Sequence, residues 1–565
     1  MSGIIRRVLF YAALGLVAPA ARAGDATAAD EAPRPDARFY LATRAVPDYV
    51  ERGARGEALW SAVQSFYRAR DYRLVWVTAG RVSADAEAVA RMVEGAEDEG
   101  LDGARYRVEP IGPRAVTTAF NGAPASDADA VQDVQLTYVF LKYAADLTGR
   151  FDPKAAGPFW LVRPPPRDLA PWLEQSLQSG RIVASFAALW PPHAAYGAVK
   201  AALARYREIA RKGGWAALPP RLALRRGSRG PQVAALRARL AVEGDLSSTT
   251  ASGPTEAYDS SLAEGVKRFE RRHGLVADGV LDAVTVAALK VPVEERIRQI
   301  ELNLERWRWL PADLGRRYVM VNVPSFQLAA HEDGRPAVTM KVVTGKPDSP
   351  TPIFGDDMTT VVFSPYWNVP PTIAEDEIIP AVLRDPGYLQ RNNLELVRGT
   401  RLVGAVALRH GDVQIRQRPG TRNSLGLVKL VFPNPFGVYL HGTPASALFA
   451  RPSRAFSHGC VRVEKPFELA RWVLGGLPQW TPSAIQAAMR SGRERPLALS
   501  EPIPVYITYQ TVQASHDGMV FFWPDVYGHD AAQMPLMLAP SSLPPVPTIV
   551  EVPLRPVLDP AVTSN

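Results

Sequence analysis

The chain has 565 residues, of which 47% are hydrophobic and 22% are charged, so it can form several packed domains and is neither disordered throughout nor collagen-like. The formal net charge is +8, but basic residues do not run together with interleaved aromatic ones, which argues against a nucleic-acid partner. A single cysteine excludes internal disulfide bonds and any zinc or iron–sulfur site built from several cysteines.

Residues 1–23 have the composition of a secretory signal peptide. Arg6 and Arg7 precede an apolar run over residues 8–17, and Ala21-Arg22-Ala23 fits the small-x-small cleavage rule. The run is short for a membrane span, and a retained anchor at the membrane is the alternative to cleavage. We therefore expect export to the periplasm, with contact to the membrane that is peripheral at most.

Residues 24–220 are predicted to form a leader followed by a helical scaffold domain. Ser83 is a candidate N-cap of a helix in which Val89, Val93 and Ala96 lie on one face. A second helix is indicated around Tyr138. This part of the chain shows no evident chemistry, so we expect a structural platform.

Residues 221–291 form a compact unit with helical periodicity. Leu262, Val266 and Phe269 fall on one helical face, and Asp278-Gly279 is a turn signal. The whole pattern resembles a PG_binding_1 peptidoglycan-binding domain, in which Glu270 stands where the family often has glutamine. A plain three-helix structural domain is the alternative interpretation.

Residues 292–315 are predicted to form a connecting helix, after which the period changes to that of strands. Residues 316–515 are predicted to be mostly β, with strands at 318–323, 337–344, 360–363, 413–416 and 438–441. A partly helical insertion at about 370–411 is a candidate lid, and an insertion without a functional role is the alternative. Residues 516–565 are expected to return to the scaffold as a hairpin and to continue, from Pro535, as an extended proline-rich tail.

The fold class is therefore multidomain α+β. It combines a helical scaffold, a small three-helix domain and a mostly β domain that carries a partly helical capping insertion.

The single thiol, Cys460, lies in the sequence Ser457-His458-Gly459-Cys460-Val461-Arg462, and His441 ends a predicted strand nearer the N-terminus. A thiol is mostly protonated at neutral pH, so nucleophilic catalysis needs a neighbouring base or cation. Gly459 lets the backbone approach a substrate closely, and the amides of Gly459 and Cys460 are candidate donors to an oxyanion. A buried structural cysteine is the alternative.

A longer pattern surrounds these residues. Gln417-x-Pro419-Gly420-x-x-Asn423-x-Leu425-Gly426 leads through Phe432-Pro433-Asn434 to Tyr439-Leu440-His441-Gly442-Thr443-Pro444 and then to the cysteine sequence. This pattern resembles an L,D-transpeptidase catalytic domain of the YkuD type. The order of the other regions is similar to that of the large YcbB-like members of that family.

The resemblance implies a role for each site residue. Cys460 would be the nucleophile and His441 its general base. Many relatives carry aspartate at position 442, where this chain has glycine, so the carbonyl of Gly442 would orient the imidazole instead. The amides of His458, Gly459 and Cys460 would bind the oxyanion. The candidate substrate-binding residues are Arg462, Ser457, Tyr439, Arg454, Trp367 and Phe449, some of which are equally well explained as packing residues.

The resemblance also implies a peptidoglycan L,D-transpeptidase that needs no metal or organic cofactor. Its partners would be donor and acceptor stem peptides, together with proteins of cell-wall synthesis, and it would form 3→3 diaminopimelate cross-links, release D-Ala and be inactivated by carbapenems. An L,D-carboxypeptidase and a lipoprotein-anchoring transpeptidase would use the same site. The alternatives of another class are a non-catalytic wall-binding protein and an NlpC-like cysteine endopeptidase, for which His516 is the candidate base.

Overall fold

The computed structural model describes residues 37–538, except 43–45, 79, 107–126, 158, 163–166, 216, 220–221, 247–255, 386, 400, 405–407 and 409–412. The predicted signal peptide, most of the predicted leader, part of the insertion's end and the chain beyond residue 538 lie outside the described residues. Within the described ranges, no helix is long and apolar enough to cross a membrane.

The N-terminal part is helical around an aromatic core that includes the fully buried Trp76, Phe140 and Phe186. The Oγ of Ser83 accepts a hydrogen bond from the Ala86 amide at 3.3 Å, as the N-cap prediction requires. The helices are α1 (Arg38–Ala42), α2 (Ala54–Ala69), α3 (Ala84–Glu94), α4 (Asp127–Leu147), α5 (Leu169–Gln178), α6 (Ile182–Ala187) and α7 (Ala194–Arg211). A short hairpin joins β1 (Val77–Thr78) to β2 (Arg81–Val82).

The next region consists of α8 (Pro231–Val242), α9 (Ser260–Arg272) and α10 (Ala283–Leu289), followed by the long α11 (Val293–Arg308). The predicted apolar face of α9 is confirmed, because Leu262, Val266 and Phe269 are fully buried. Glu270 is also buried, and its carboxylate accepts a hydrogen bond from the Gly279 amide at 2.8 Å. This carboxylate therefore holds the predicted Asp278-Gly279 turn.

A buried ionic cluster fixes this region against the scaffold. The carboxylate of Glu243 is paired with Arg239 and, at 2.9 Å, with Arg272. It also accepts a hydrogen bond from the hydroxyl of Tyr206 on α7 at 2.6 Å. All four side chains are almost completely buried, so the two regions share a polar interface that excludes solvent.

The rest of the chain is dominated by strands, which occupy the following ranges: β3 (Arg317–Asn322), β4 (Gln327–Glu332), β5 (Arg335–Gly345), β6 (Gly355–Phe363), β7 (Trp367–Asn368), β8 (Leu394–Arg398), β9 (Arg401–Val403), β10 (Gln414–Gln417), β11 (Val428–Val431), β12 (Leu440–His441), β13 (Ala455–Ser457), β14 (Val461–Val463), β15 (Arg495–Thr508), β16 (Val512–Ala514) and β17 (Val520–Phe522). The main sheet has the order β13-β5-β14-β12-β11-β6-β15-β3-β4, and a further pairing of β4 with β5 closes it. Alternate residues of its strands, among them Val319, Val361 and Leu430, form the core.

The strands predicted at 318–323 and 337–344 are present as β3 and β5, but the sequence analysis predicted no strand between them. β4 intervenes, and the chain reverses at Phe326, which has a φ of 52°. Phenylalanine is rare in the left-handed region, so the sequence carries no turn signal there.

The insertion between β6 and β11 has a hydrophobic core of its own. Its helical arm comprises α12 (Pro371–Ile373), a π-helical turn (Ala374–Ile378) and α13 (Ile379–Arg384), and α14 (Tyr388–Arg391) follows. Ile378 and Val382 are buried against a small sheet of order β7-β10-β8-β9, whereas Leu383 is 59% exposed. The predicted partly helical insertion therefore also contains strands.

After α15 (Pro466–Val473) and α16 (Pro482–Met489), the chain returns to the scaffold through the hairpin of β16 and β17 and ends its described part in α17 (His529–Leu538). The prediction that an extended tail begins at Pro535 is wrong, because α17 runs through this proline. Gln533 and Met537 are buried, and Gln533 accepts a hydrogen bond from Arg306 at 2.9 Å. Tertiary packing outweighs the local effect of the proline.

Candidate active site

The candidate nucleophile and base lie on neighbouring parallel strands. In the pairing of β12 with β14, Leu440 lies opposite Val461 and His441 lies opposite Arg462. Leu440 and Val461 point into the core and are fully buried. Because side chains alternate along a strand, Tyr439 and His441 share the opposite face with Cys460 and Arg462.

A neutral carbonyl orients the candidate base. The Nδ1 of His441 lies 2.6 Å from the carbonyl oxygen of Gly442. A carbonyl only accepts hydrogen bonds, so Nδ1 carries the proton and Nε2 keeps the lone pair that a base needs. The amide of Gly442 donates to the Val428 carbonyl at 3.0 Å, which fixes the position of this residue.

Gly426 allows that arrangement to form. It has a φ of +66°, and a Cβ at this position would come within 2.7 Å of the backbone of Gly442 and Thr443. The buried Asn423 holds the preceding turn, where its Oδ1 accepts from the Leu425 amide at 2.8 Å. The glycine and asparagine of the sequence pattern thus support the residue that orients His441.

Burial and two cations set the electrostatics of this face. Burial first, then the charges of Arg462 and Lys429, lower the pKa of His441 to about 3. Burial raises the pKa of the Cys460 thiol, and the same two cations act in the opposite direction by favouring the thiolate. Lys429 lies opposite His441 in the pairing of β11 with β12, and its Nζ is 4.1 Å from the centre of the Tyr439 ring. The resting site therefore holds a neutral imidazole and a protonated thiol.

The loop before Cys460 is fixed by Ser457. Its Oγ donates to the Cys460 carbonyl at 2.5 Å and accepts from the Gly459 amide at 3.2 Å. The Gly459 amide, a predicted oxyanion donor, is thus engaged by Ser457 in this structure. Gly459 has a φ of 113°, a backbone conformation that other residues rarely adopt. The adjacent amides of His458 and Cys460 remain the candidate donors to an oxyanion.

Three predicted substrate-binding residues lie in structural positions instead. Arg454 is 8% exposed, and its guanidinium is engaged by backbone carbonyls rather than open to a ligand. The acceptors are the carbonyls of Val342, Ser325, Phe326, Arg451 and Pro452. Phe449 is buried in a short helical turn. Trp367 packs against the core of the insertion.

One long-range contact joins the insertion to the cysteine loop. The Nε2 of His458 lies 3.0 Å from a carboxylate oxygen of Glu377 on the π-helical turn. The sequence analysis assigned no role to Glu377 or Lys429, because their positions near His458 and His441 become apparent only in the folded structure. His516, the base of the rival endopeptidase, lies in the exposed turn between β16 and β17, next to the scaffold.

The described part of the chain shows no group of three or more His, Cys, Asp or Glu side chains arranged to hold a metal ion. The chemistry available to this face is that of a thiol, an imidazole, two cations and backbone amides.

Comparison with known proteins connects this geometry to named domains. Residues 316–492 match the profile of the YkuD L,D-transpeptidase catalytic domain, residues 61–203 match that of a scaffold domain, and residues 229–289 match that of a peptidoglycan-binding domain. A Haemophilus influenzae protein whose curated name is that of an L,D-transpeptidase is 29% identical over 240 residues, which are 41% of this chain and 48% of that protein. The match thus spans about half the length of this relative.

Solved structures of L,D-transpeptidases were also found. The enzyme from Stackebrandtia nassauensis is 15% identical, with 51% of this chain and 96% of that chain covered and a TM-score of 0.21. The enzyme from Xylanimonas cellulosilytica is 17% identical, with 51% and 98% covered and a TM-score of 0.16. The chain contains a scaffold domain, a peptidoglycan-binding domain and an L,D-transpeptidase catalytic domain of the YkuD type.

Proposed function

We propose that this protein is a peptidoglycan L,D-transpeptidase in which Cys460 is the nucleophile and His441 the general base. The observation that carries the proposal is the pairing of β12 with β14, which puts both side chains on one face while the Gly442 carbonyl leaves Nε2 of His441 unprotonated. We further propose that the chain is exported, that it acts in the periplasm, and that it is one of the large YcbB-like members of this family.

In the first half of the reaction, Nε2 of His441 accepts the thiol proton as the sulfur of Cys460 attacks the carbonyl of diaminopimelate in a donor tetrapeptide. The amides of His458 and Cys460 bind the oxyanion. The C–N bond to the terminal D-Ala then breaks, and the imidazolium returns the proton to the leaving amine. A thioester on Cys460 remains.

In the second half, the side-chain amine of diaminopimelate on an acceptor stem attacks the thioester. His441 accepts the proton from this amine and returns it to the departing sulfur, so the free thiol is restored. The product is a 3→3 amide cross-link. Lys429 and Arg462 favour the transient thiolate in both halves.

The muropeptide profile of sacculi incubated with the purified protein tests this proposal. We expect 3→3 cross-linked dimers with release of D-Ala, and neither product with Cys460→Ala or His441→Ala. Tripeptides without dimers would identify an L,D-carboxypeptidase. Loss of activity in His516→Ala together with full activity in His441→Ala would instead identify the endopeptidase.

A further inference from the structure

The hydroxyl of Thr351 holds the backbone of the cysteine loop. Its side chain is 1% exposed, and Oγ1 donates to the Gly459 carbonyl at 2.7 Å and accepts from the Gly345 amide at 2.8 Å. The sequence Pro350-Thr351-Pro352 restrains the backbone here, because each proline fixes its own φ and Pro352 also restricts Thr351. Thr351 is therefore a rigidly held donor to the Gly459 carbonyl.

This hydrogen bond has a direct effect on the Cys460 amide. The Gly459 carbonyl and the Cys460 N–H belong to one planar peptide unit, in which they point in opposite directions. Fixing the carbonyl oxygen therefore fixes the direction of the N–H. Ser457 restrains the flanking groups, the Gly459 amide and the Cys460 carbonyl, but only Thr351 among these side chains contacts the carbonyl of that peptide unit.

Thr351 is in turn held by residues 512–538, which lead from β16 to α17 and are called the C-terminal return below. The hydroxyl of Tyr527 accepts from the Thr351 amide at 3.2 Å and donates to the Gly345 carbonyl at 2.7 Å. The amide of Tyr527 donates to the hydroxyl of Tyr509, which donates to Asp525. Tyr527 lies beyond residue 492, where the match to the catalytic domain ends.

We propose that Thr351 is a positioning residue that aims the Cys460 amide at the oxyanion, and that Tyr527 supplies this support from the C-terminal return. The assignment rests on the proposed function, because it concerns the oxyanion formed when Cys460 attacks a carbonyl. It makes the C-terminal return a part of the catalytic unit.

Two reactions of Cys460 separate this role from a general structural one. Acylation by a carbapenem passes through an oxyanion, whereas alkylation by iodoacetamide forms none. We expect Thr351→Val to slow carbapenem acylation about tenfold or more and to leave alkylation unchanged, and we expect Thr351→Ser to restore acylation. Thr508→Val is the matched control, because its buried hydroxyl also donates to a carbonyl, that of Val321, in another part of the domain.

Each other outcome has a definite meaning. Acylation of Thr351→Val at the wild-type rate, or an equal loss of acylation and alkylation, would overturn the assignment alone. A wild-type protein that no carbapenem acylates would overturn the proposed function and the assignment with it. If Thr351→Val does not fold, Tyr527→Phe decides: slower acylation with unchanged alkylation supports the assignment, and unchanged acylation contradicts it.

Discussion

The base of this site is oriented by a neutral group. The Gly442 carbonyl accepts from Nδ1 of His441 as a carboxylate would, but it adds no negative charge to stabilise an imidazolium. Burial disfavours that cation most, and the charges of Arg462 and Lys429 add to this effect, which is why the pKa of His441 is lowered to about 3. The proton therefore stays on the sulfur until attack begins, in contrast to cysteine enzymes that rest as a thiolate–imidazolium pair.

Replacing Lys429 with methionine tests this electrostatic description. Loss of the cation raises the pKa of Cys460 further, because Lys429 favours the thiolate. Alkylation by iodoacetamide at pH 7.5 should slow roughly threefold to tenfold, since one pH unit corresponds to a tenfold change in the thiolate fraction, and its alkaline inflection should move to higher pH. The measurement is the alkylation rate between pH 6 and 10.

Lys465→Met is the control for this prediction, because the Nζ of Lys465 donates to the Thr339 carbonyl in the same domain, in an exposed position. An inflection that stays in place, or moves to lower pH, in Lys429→Met would contradict the account.

At the scale of elements, the insertion is joined to the cysteine loop by Glu377 and His458. Glu377 lies on a π-helical turn, a feature common at functional sites, and the insertion has its own core. An element with a separate core can move as a unit. These features support the proposal that the insertion is a lid whose closed position includes this contact.

Glu377→Ala should destabilise the closed position of the insertion, because it removes the contact with His458. We expect a bulky maleimide to react with Cys460 a few times faster in this variant, in line with the modest energy of an exposed polar contact, while the small reagent iodoacetamide reacts at an unchanged rate. Glu375→Ala, which removes an exposed carboxylate from the same turn, should change neither rate. Equal maleimide rates in Glu377→Ala and the wild type would argue against a lid held by this contact.

The elements that sequence predicts well are those with a local signal. The apolar face of α9 and the cap of α3 were predictable because the residues concerned are a few positions apart. β4 was missed because Phe326 turns the chain without a glycine or asparagine. The Thr351–Gly459 and Glu377–His458 contacts join residues that are far apart in the sequence, so only the folded structure reveals them.

At the scale of the whole molecule, the peptidoglycan-binding domain is fixed to the scaffold. Glu243 is fully buried between Arg239 and Arg272, and Tyr206 of α7 donates to it. These arginines depend on the carboxylate, because unpaired buried charges are costly. The domain therefore holds a set position relative to the scaffold, unlike a module on a flexible linker.

Glu243→Gln should destabilise this interface strongly. Loss of the negative charge leaves two buried guanidinium groups with less compensation, so we expect the free energy of unfolding to fall by about 3 kcal/mol in urea denaturation. Glu264→Gln is the matched control, because Glu264 and Lys267 form an exposed pair within α9, and this substitution should leave stability nearly unchanged. Similar losses in both variants would contradict the role given to the buried cluster.

The most direct test of the central claim is the intact-protein mass after incubation with a carbapenem. The account predicts one covalent adduct in the wild-type protein, located at Cys460 by peptide mapping, and no adduct in Cys460→Ala. An unmodified wild-type mass, or an adduct that persists in Cys460→Ala, would contradict it.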